Sequence, residues 1–98
     1  MPGGFDYHPE ARVELGAEFD WYAQRSLDAA EGLLNEVGAA IDQAVSFAMS
    51  GQRYLAGTRR IVVRDFPYLL VYRERAGLVE VIAVAHTSRR PGYWRSRL

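Results

Sequence analysis

The chain contains no cysteine and no lysine. Without thiols, disulfides, thiolate metal sites and cysteine nucleophiles are excluded. Without lysine, every basic side chain that is permanently charged is an arginine. Arginine grips carboxylate or phosphate through a planar fork, but it stays protonated and serves poorly as a general base. The two histidines, His8 and His86, stand far apart in the chain, so a bound metal is not expected. No apolar run approaches the roughly 20 residues that span a bilayer, so no membrane partner is expected. Met1-Pro2-Gly3-Gly4 has neither a basic nor an apolar export segment, and a cytoplasmic soluble domain is the expectation. With 9 glycines and 4 prolines in 98 residues the composition is globular, not fibrous or disordered. Phosphate-binding glycine loops, nucleophile elbows and zinc-helix motifs are all missing. The carboxylates lie apart from the basic C-terminal segment, so no glycosidase pair is indicated. No cofactor is expected.

What is there amounts to one domain, residues 1–98, with 49% hydrophobic residues. Its 12 arginines balance 12 carboxylates, but not evenly along the chain. Residues 1–50 hold nine carboxylates and two arginines; residues 51–98 hold ten arginines and three carboxylates. This asymmetry implies an acidic face and a basic face, the latter aimed at an anionic partner. The alternative is that the two halves pair with each other across the fold.

Phe5-Asp6-Tyr7 alternates as a short strand, and Pro9 opens a helix at its first turn. Ala11, Leu15, Phe19 and Tyr22 form its apolar stripe, while Glu10, Glu14 and Glu18 step along a face read as solvated. Trp21 and Tyr22 are read as core. Asp28 with Glu31 resembles a capping box for a second helix running to about Ser50, with Gly51 as its stop. Its stripe is Ala30, Leu33, Leu34, Val37, Ile41, Ala44, Val45 and Ala48. Gly32 and Gly38 are read as points of close contact with the first helix. Beyond Gly57 the period changes to two: Arg59–Arg64, Tyr68–Arg73 and the nearly all-apolar Leu78–His86 read as strands. Phe66-Pro67 breaks the first, and the turn Glu74-Arg75-Ala76-Gly77 joins the other two. The order β-α-α-β-β-β implies a two-layer α+β domain, a helical hairpin on a small, largely antiparallel sheet. The central place belongs to Leu78–His86, and arginines and aromatics are expected on the opposite sheet face.

The richest candidate site is the segment His86 to Arg95, which leaves the end of that central strand. Arginines interleaved with Tyr93 and Trp94 suit a nucleic-acid or acidic-protein surface. Alternatively, Tyr93 and Trp94 fold back as a plug over the sheet. His86 is either an acid–base group near neutral pH or a hydrogen-bonded structural residue.

His8-Pro9-Glu10-Ala11, Trp21-Tyr22, Phe66-Pro67-Tyr68 with Tyr72, and Val84-Ala85-His86 followed by Arg90-Pro91 and Tyr93-Trp94 stand in a characteristic order. In this the chain resembles the RelE/ParE toxin superfamily over residues 5–95, and looks like a ParE-type, plasmid-stabilisation toxin. The resemblance implies the toxin of a type II toxin–antitoxin pair, partnered by a cognate antitoxin in a hetero-oligomer. The superfamily divides by target: one branch cleaves ribosome-bound messenger RNA without metal, whereas the ParE branch inhibits DNA gyrase. Against the lysine-using nucleases of the first branch, Arg60, Arg89 and Tyr93 match functional positions. Val62 replaces a basic residue, and Leu69 stands where an arginine follows the tyrosine. Other nucleases of the superfamily use Glu and His, which keeps His86 open as a catalytic residue.

Two readings follow. In the first, the chain binds gyrase through Arg60, Arg64, Arg89, Arg90, Tyr93, Trp94 and Arg95. In the second it is a ribosome-dependent endoribonuclease, with His86 and Tyr93 exchanging protons and Arg89 among the phosphate-holding arginines. A third possibility is a member that keeps only its antitoxin complex.

Overall fold

The computed structural model describes residues 3–98. Met1 and Pro2, the start of the segment read above for export signals, lie outside them. Strand β1 (Phe5–Tyr7) leads into helix α1 (Pro9–Ala23) and helix α2 (Leu27–Ser46). Strands β2 (Gln52–Arg53), β3 (Arg59–Val63), β4 (Tyr68–Arg75) and β5 (Leu78–His86) follow. The helical hairpin lies on a five-stranded sheet of order β1-β5-β4-β3-β2, so β4 and not Leu78–His86 holds the central place expected for the latter. The expected α+β architecture is present, with two refinements. The sheet is mixed, because β1 runs parallel to β5. The two-residue β2, too short to leave a period in the sequence, adds an antiparallel edge through Gln52 opposite Arg60.

Local chemistry sets the helix ends. Pro9 occupies the first turn of α1, and the His8 Nδ1 accepts the Glu10 amide at 3.1 Å. The cap of α2 is Ser26, whose Oγ accepts the Ala29 amide at 3.2 Å, rather than the Asp28–Glu31 box expected from sequence. Helix α2 stops at Ser46, short of Ser50, and Ala48–Ser50 forms a 3₁₀ turn. Tertiary partners take the carbonyls there. Tyr72 donates its hydroxyl to Ala48 O at 2.6 Å, and Arg59 donates to Met49 O at 3.2 Å and Gly51 O at 2.8 Å. Gly32 approaches Phe66, not α1, and nothing stands near Gly38, so neither glycine serves the helix contact expected of it.

The main core lies between hairpin and sheet and includes Leu33, Val37, Ile41, Val63, Tyr68, Leu70, Tyr72 and Val81. Leu34, read as part of the apolar stripe, is exposed. The β4–β5 hairpin closes on Ala76 and Gly77, both at positive φ, a two-residue turn whose twist matches the strands. A bulge interrupts its ladder: Val71 opposes Ala83 and Tyr72 opposes Val81, leaving Ile82 as the extra residue. Ile82 and Ala83 consequently share the outer face of the sheet with Val71 and Ala85, where a second small core forms under Trp94. The outer face, expected to display arginines and aromatics, is in this region closed by the C-terminal segment.

Candidate functional site

Strand β1 ends at Tyr7, and His8 N continues its ladder to Val81 O. From Ile82 onward this edge of β5 has no strand partner among the described residues, and two charged side chains take that role. Glu14, from α1, accepts the Val84 amide at 3.2 Å, and Arg97 donates to Ile82 O at 3.0 Å. The same two residues pair with each other, Arg97 Nη1 to Glu14 Oε1 at 2.7 Å and Nη2 to Oε2 at 3.0 Å. Tyr93 donates its hydroxyl to Glu14 Oε2 as well. Their side chains are only 15% and 9% exposed, so this is a nearly dry ion pair with its remaining bonds satisfied. Glu14 is therefore not on a solvated face. Neither is Glu18, which accepts the hydroxyl of buried Tyr68 at 2.5 Å.

Glu14 fixes the loop that carries the arginines. The loop leaves β5 at His86, where Thr87 N bonds Pro67 O and Arg89 N bonds His86 O, both at 2.9 Å. It returns at Tyr93, held by Glu14, and at Trp94, which is 1% exposed beneath Tyr54 and Leu69. Trp94 is thus the plug of the alternative reading and leaves a partner almost no surface, which corrects its place among the contact residues. Between these anchors, the Arg89 guanidinium lies 3.9 Å above the Tyr93 ring. Opposite, Arg60 lies 4.7 Å above Tyr54 and donates to Gln52 at 2.9 Å.

These side chains enclose an open cavity of about 270 Å³ lined by Arg60, His86, Arg89, Arg90, Tyr93 and Trp94, among others. Arg64 and Arg95 are not part of it: Arg64 is exposed just past the end of β3, and Arg95 is exposed on the 3₁₀ turn Arg95–Arg97. The cavity offers three guanidinium groups, two of them on aromatic supports, the chemistry of a receptor for carboxylate or phosphate. Its two proton-bearing candidates are already engaged. Burial, and then the hydrogen bond to Glu14, push the Tyr93 phenol well above its ordinary range. His86 Nδ1 accepts the Ser88 amide at 3.0 Å and lies 2.7 Å from Ser88 Oγ, which places the proton of a neutral ring on Nε2. Among the described residues, no group of three or more His, Asp or Glu side chains is placed to hold a metal ion.

A second hollow of about 320 Å³ adjoins the first through His86 and is lined by Glu18, Trp21, Tyr22, Tyr68 and His86. Trp21, read as core, is 50% exposed here. Burial, and then the bond to Glu18, raise the Tyr68 phenol above its ordinary range. The two charge-rich halves of the chain do not neutralise each other broadly. Among the described residues, the ion pairs that cross from one half to the other are both made by Arg97, to Glu14 and Glu10.

Glu14 and Arg97 were missed in the sequence because nothing local marks them. The pair is separated by 83 residues, and Glu14 from Tyr93 by 79. The spacing of Glu10, Glu14 and Glu18 by four was visible, but it is equally the signature of a wet helix face.

Compared with known proteins, residues 5–91 match the family profile described as the ParE toxin of the type II toxin–antitoxin system, parDE. Among solved structures the chain is similar to one titled "Chromosomal ParDE TA system from P. aeruginosa". The TM-score is 0.73 at 14% identity, covering 85% of this chain and 94% of that one, which shows a shared fold. A search of the curated proteins found no match.

Proposed function

Because this chain belongs to the ParE toxin family of type II toxin–antitoxin systems, we propose that it acts on growth by binding a protein target, DNA gyrase, and not by cutting RNA. Its antitoxin partner then neutralises it within a hetero-oligomer. The docking surface is the basic loop and its neighbours: Arg60, Arg89, Arg90 and the Tyr93 edge around the cavity, extended by the exposed Arg64 and Arg95 outside it.

The observation that carries this reading is the state of Tyr93. Ribonucleolytic cleavage needs a base for the 2′-hydroxyl, an acid for the leaving oxygen and cations for the phosphorane. The arginines supply the cations. Tyr93 gives its proton to a hydrogen bond with Glu14, and its pKa lies far above neutrality, the wrong direction for proton exchange. Val62 and Leu69, at positions that are basic in the lysine-using nuclease relatives, add no charge. What remains is a rigid, permanently cationic surface with stacked aromatic supports, suited to recognising an acidic protein surface.

The test is to induce the chain alone in bacterial cells and pulse-label DNA and protein synthesis within minutes. Halted replication with continuing translation, together with inhibition of purified gyrase, is the expected result. Arg89→Glu with Arg90→Glu should abolish both effects while leaving the melting temperature unchanged. An immediate stop in translation with cleaved messenger RNA would overturn the reading and return His86 and Tyr93 to catalytic roles.

A further inference from the structure

We propose that the second hollow is a cation site that takes the guanidinium or ammonium group of an arginine or lysine side chain presented by a partner protein. It lies on the α1 side of His86, which it shares with the arginine-lined cavity assigned to the target, and its own lining has the opposite sign.

Its lining holds one carboxylate, three aromatic side chains of tyrosine or tryptophan, one histidine and no arginine. Glu18 uses Oε2 to accept the Tyr68 hydroxyl, and among the described residues its Oε1 has no hydrogen-bond partner. Among the described residues no unpartnered polar side-chain atom is sealed away from solvent, so the free oxygen is reachable. A half-buried carboxylate with one free oxygen beside aromatic rings gains from a charge-assisted bond. The rings are fixed by packing. Trp21 meets Tyr22 edge to face at 4.9 Å, Tyr22 meets Phe66 at 5.4 Å, and Tyr68 meets His86 at 5.2 Å. Tryptophan is the strongest cation–π partner, and half of Trp21 is left exposed beside this carboxylate. The indole already carries a guanidinium within the chain: Arg25 sits 3.6 Å from its centre and donates to Trp21 O at 2.7 Å. Arg25 does not line the hollow, so the space enclosed with Glu18 is open to a second cation. The surrounding half of the sequence is strongly acidic, which attracts a basic side chain over longer range.

The experiment is an NMR titration of the full chain with N-acetyl-arginine methylamide, followed through backbone amides and the Trp21 indole N–H. N-acetyl-norleucine methylamide and N-acetyl-glutamate methylamide serve as uncharged and anionic controls. Saturating shifts confined to Glu18, Trp21, Tyr22, Tyr68 and His86 are expected for the arginine probe alone. Glu18→Gln, which keeps an acceptor for Tyr68, should weaken binding about tenfold or more, as for loss of a charged hydrogen-bond partner. Trp21→Ala, a change at an exposed position, should weaken it further. Equal shifts from the norleucine probe, or unchanged affinity in Glu18→Gln, would overturn the proposal. Neither outcome bears on whether gyrase is the target, which the growth and supercoiling assays address separately.

Discussion

Replacing Glu14 with alanine removes one carboxylate that accepts the Tyr93 hydroxyl, the Val84 amide and both terminal nitrogens of Arg97. Arg97 would keep Ile82 O at 3.0 Å, the distant Glu10 carboxylate at 3.5 Å and the face of the Tyr93 ring at 5.3 Å. An exposed ion pair is worth about 0–1 kcal/mol. Breaking a buried one costs about 3–5 kcal/mol, because a charge is left without its partner. With side chains 15% and 9% exposed, this pair lies near the buried limit. A loss of about 3 kcal/mol is expected, which in a domain this small lowers Tm by about 12 °C or more. Thermal and urea unfolding of Glu14→Ala, Arg97→Ala and the double variant measure it. If the cost arises from the stranded guanidinium, the double variant loses less than the sum of the singles by about 1–3 kcal/mol. Glu14→Leu with Arg97→Met, which replaces the pair by apolar groups, should retain most of the stability. A loss below about 1 kcal/mol that adds simply with Arg97→Ala would show the pair to be an ordinary surface bridge and refute the reasoning.

Other expectations follow from single contacts. Trp94→Ala should cost about 3–5 kcal/mol by emptying the second core, a value unlike that of an exposed docking residue and measurable by urea denaturation. Gly51→Ala should destabilise by about 1–3 kcal/mol, since a Cβ there would lie 2.9 Å from Tyr72 Cζ and disturb the bond from Gly51 N to the Tyr72 hydroxyl. Alkaline pH should unfold the protein through Tyr68. Its folded-state pKa is raised above the unfolded value of about 10, so its contribution is complete below that pH and falls by about 1.4 kcal/mol per unit above it. Tyr68→Phe should flatten that slope, and an unchanged slope between pH 10 and 11 would contradict the assignment.

The β-α-α-β-β-β order was legible because its signals are local. Pro9 fixes φ at a helix start, Leu33, Val37 and Ile41 repeat at helical spacing, and Ile61 and Val63 alternate. The near-continuous apolar run Val81–Ala85 reported a strand covered on both faces, but not its place: β5 stands second in the sheet, beside β1, and β4 holds the centre. Strand β2 was not legible, because two residues carry no period. Nor was the bulge at Ile82, since an unbroken apolar run shows no alternation to interrupt.

The candidate site divides the same way. The clustering of Arg89, Arg90 and Tyr93 is a fact of their adjacency in the chain, and the family motifs follow from the order of short segments. Those belong to the sequence by itself. The tertiary structure decided what each aromatic and each carboxylate does. It buried Trp94, deciding for the plug over the contact surface, and exposed Trp21, reversing its expected place in the core. It turned Glu14 and Glu18 from a solvated stripe into the acceptors that hold Tyr93 and Tyr68. The physical reason is that a helix presents more than one face. α1 packs on α2 along one and on the unpaired edge of β5 along another, so periodicity reports the spacing of Glu10, Glu14 and Glu18 but not what meets them. Only the closed fold brings a partner from 83 residues away to neutralise a carboxylate that local rules assign to water.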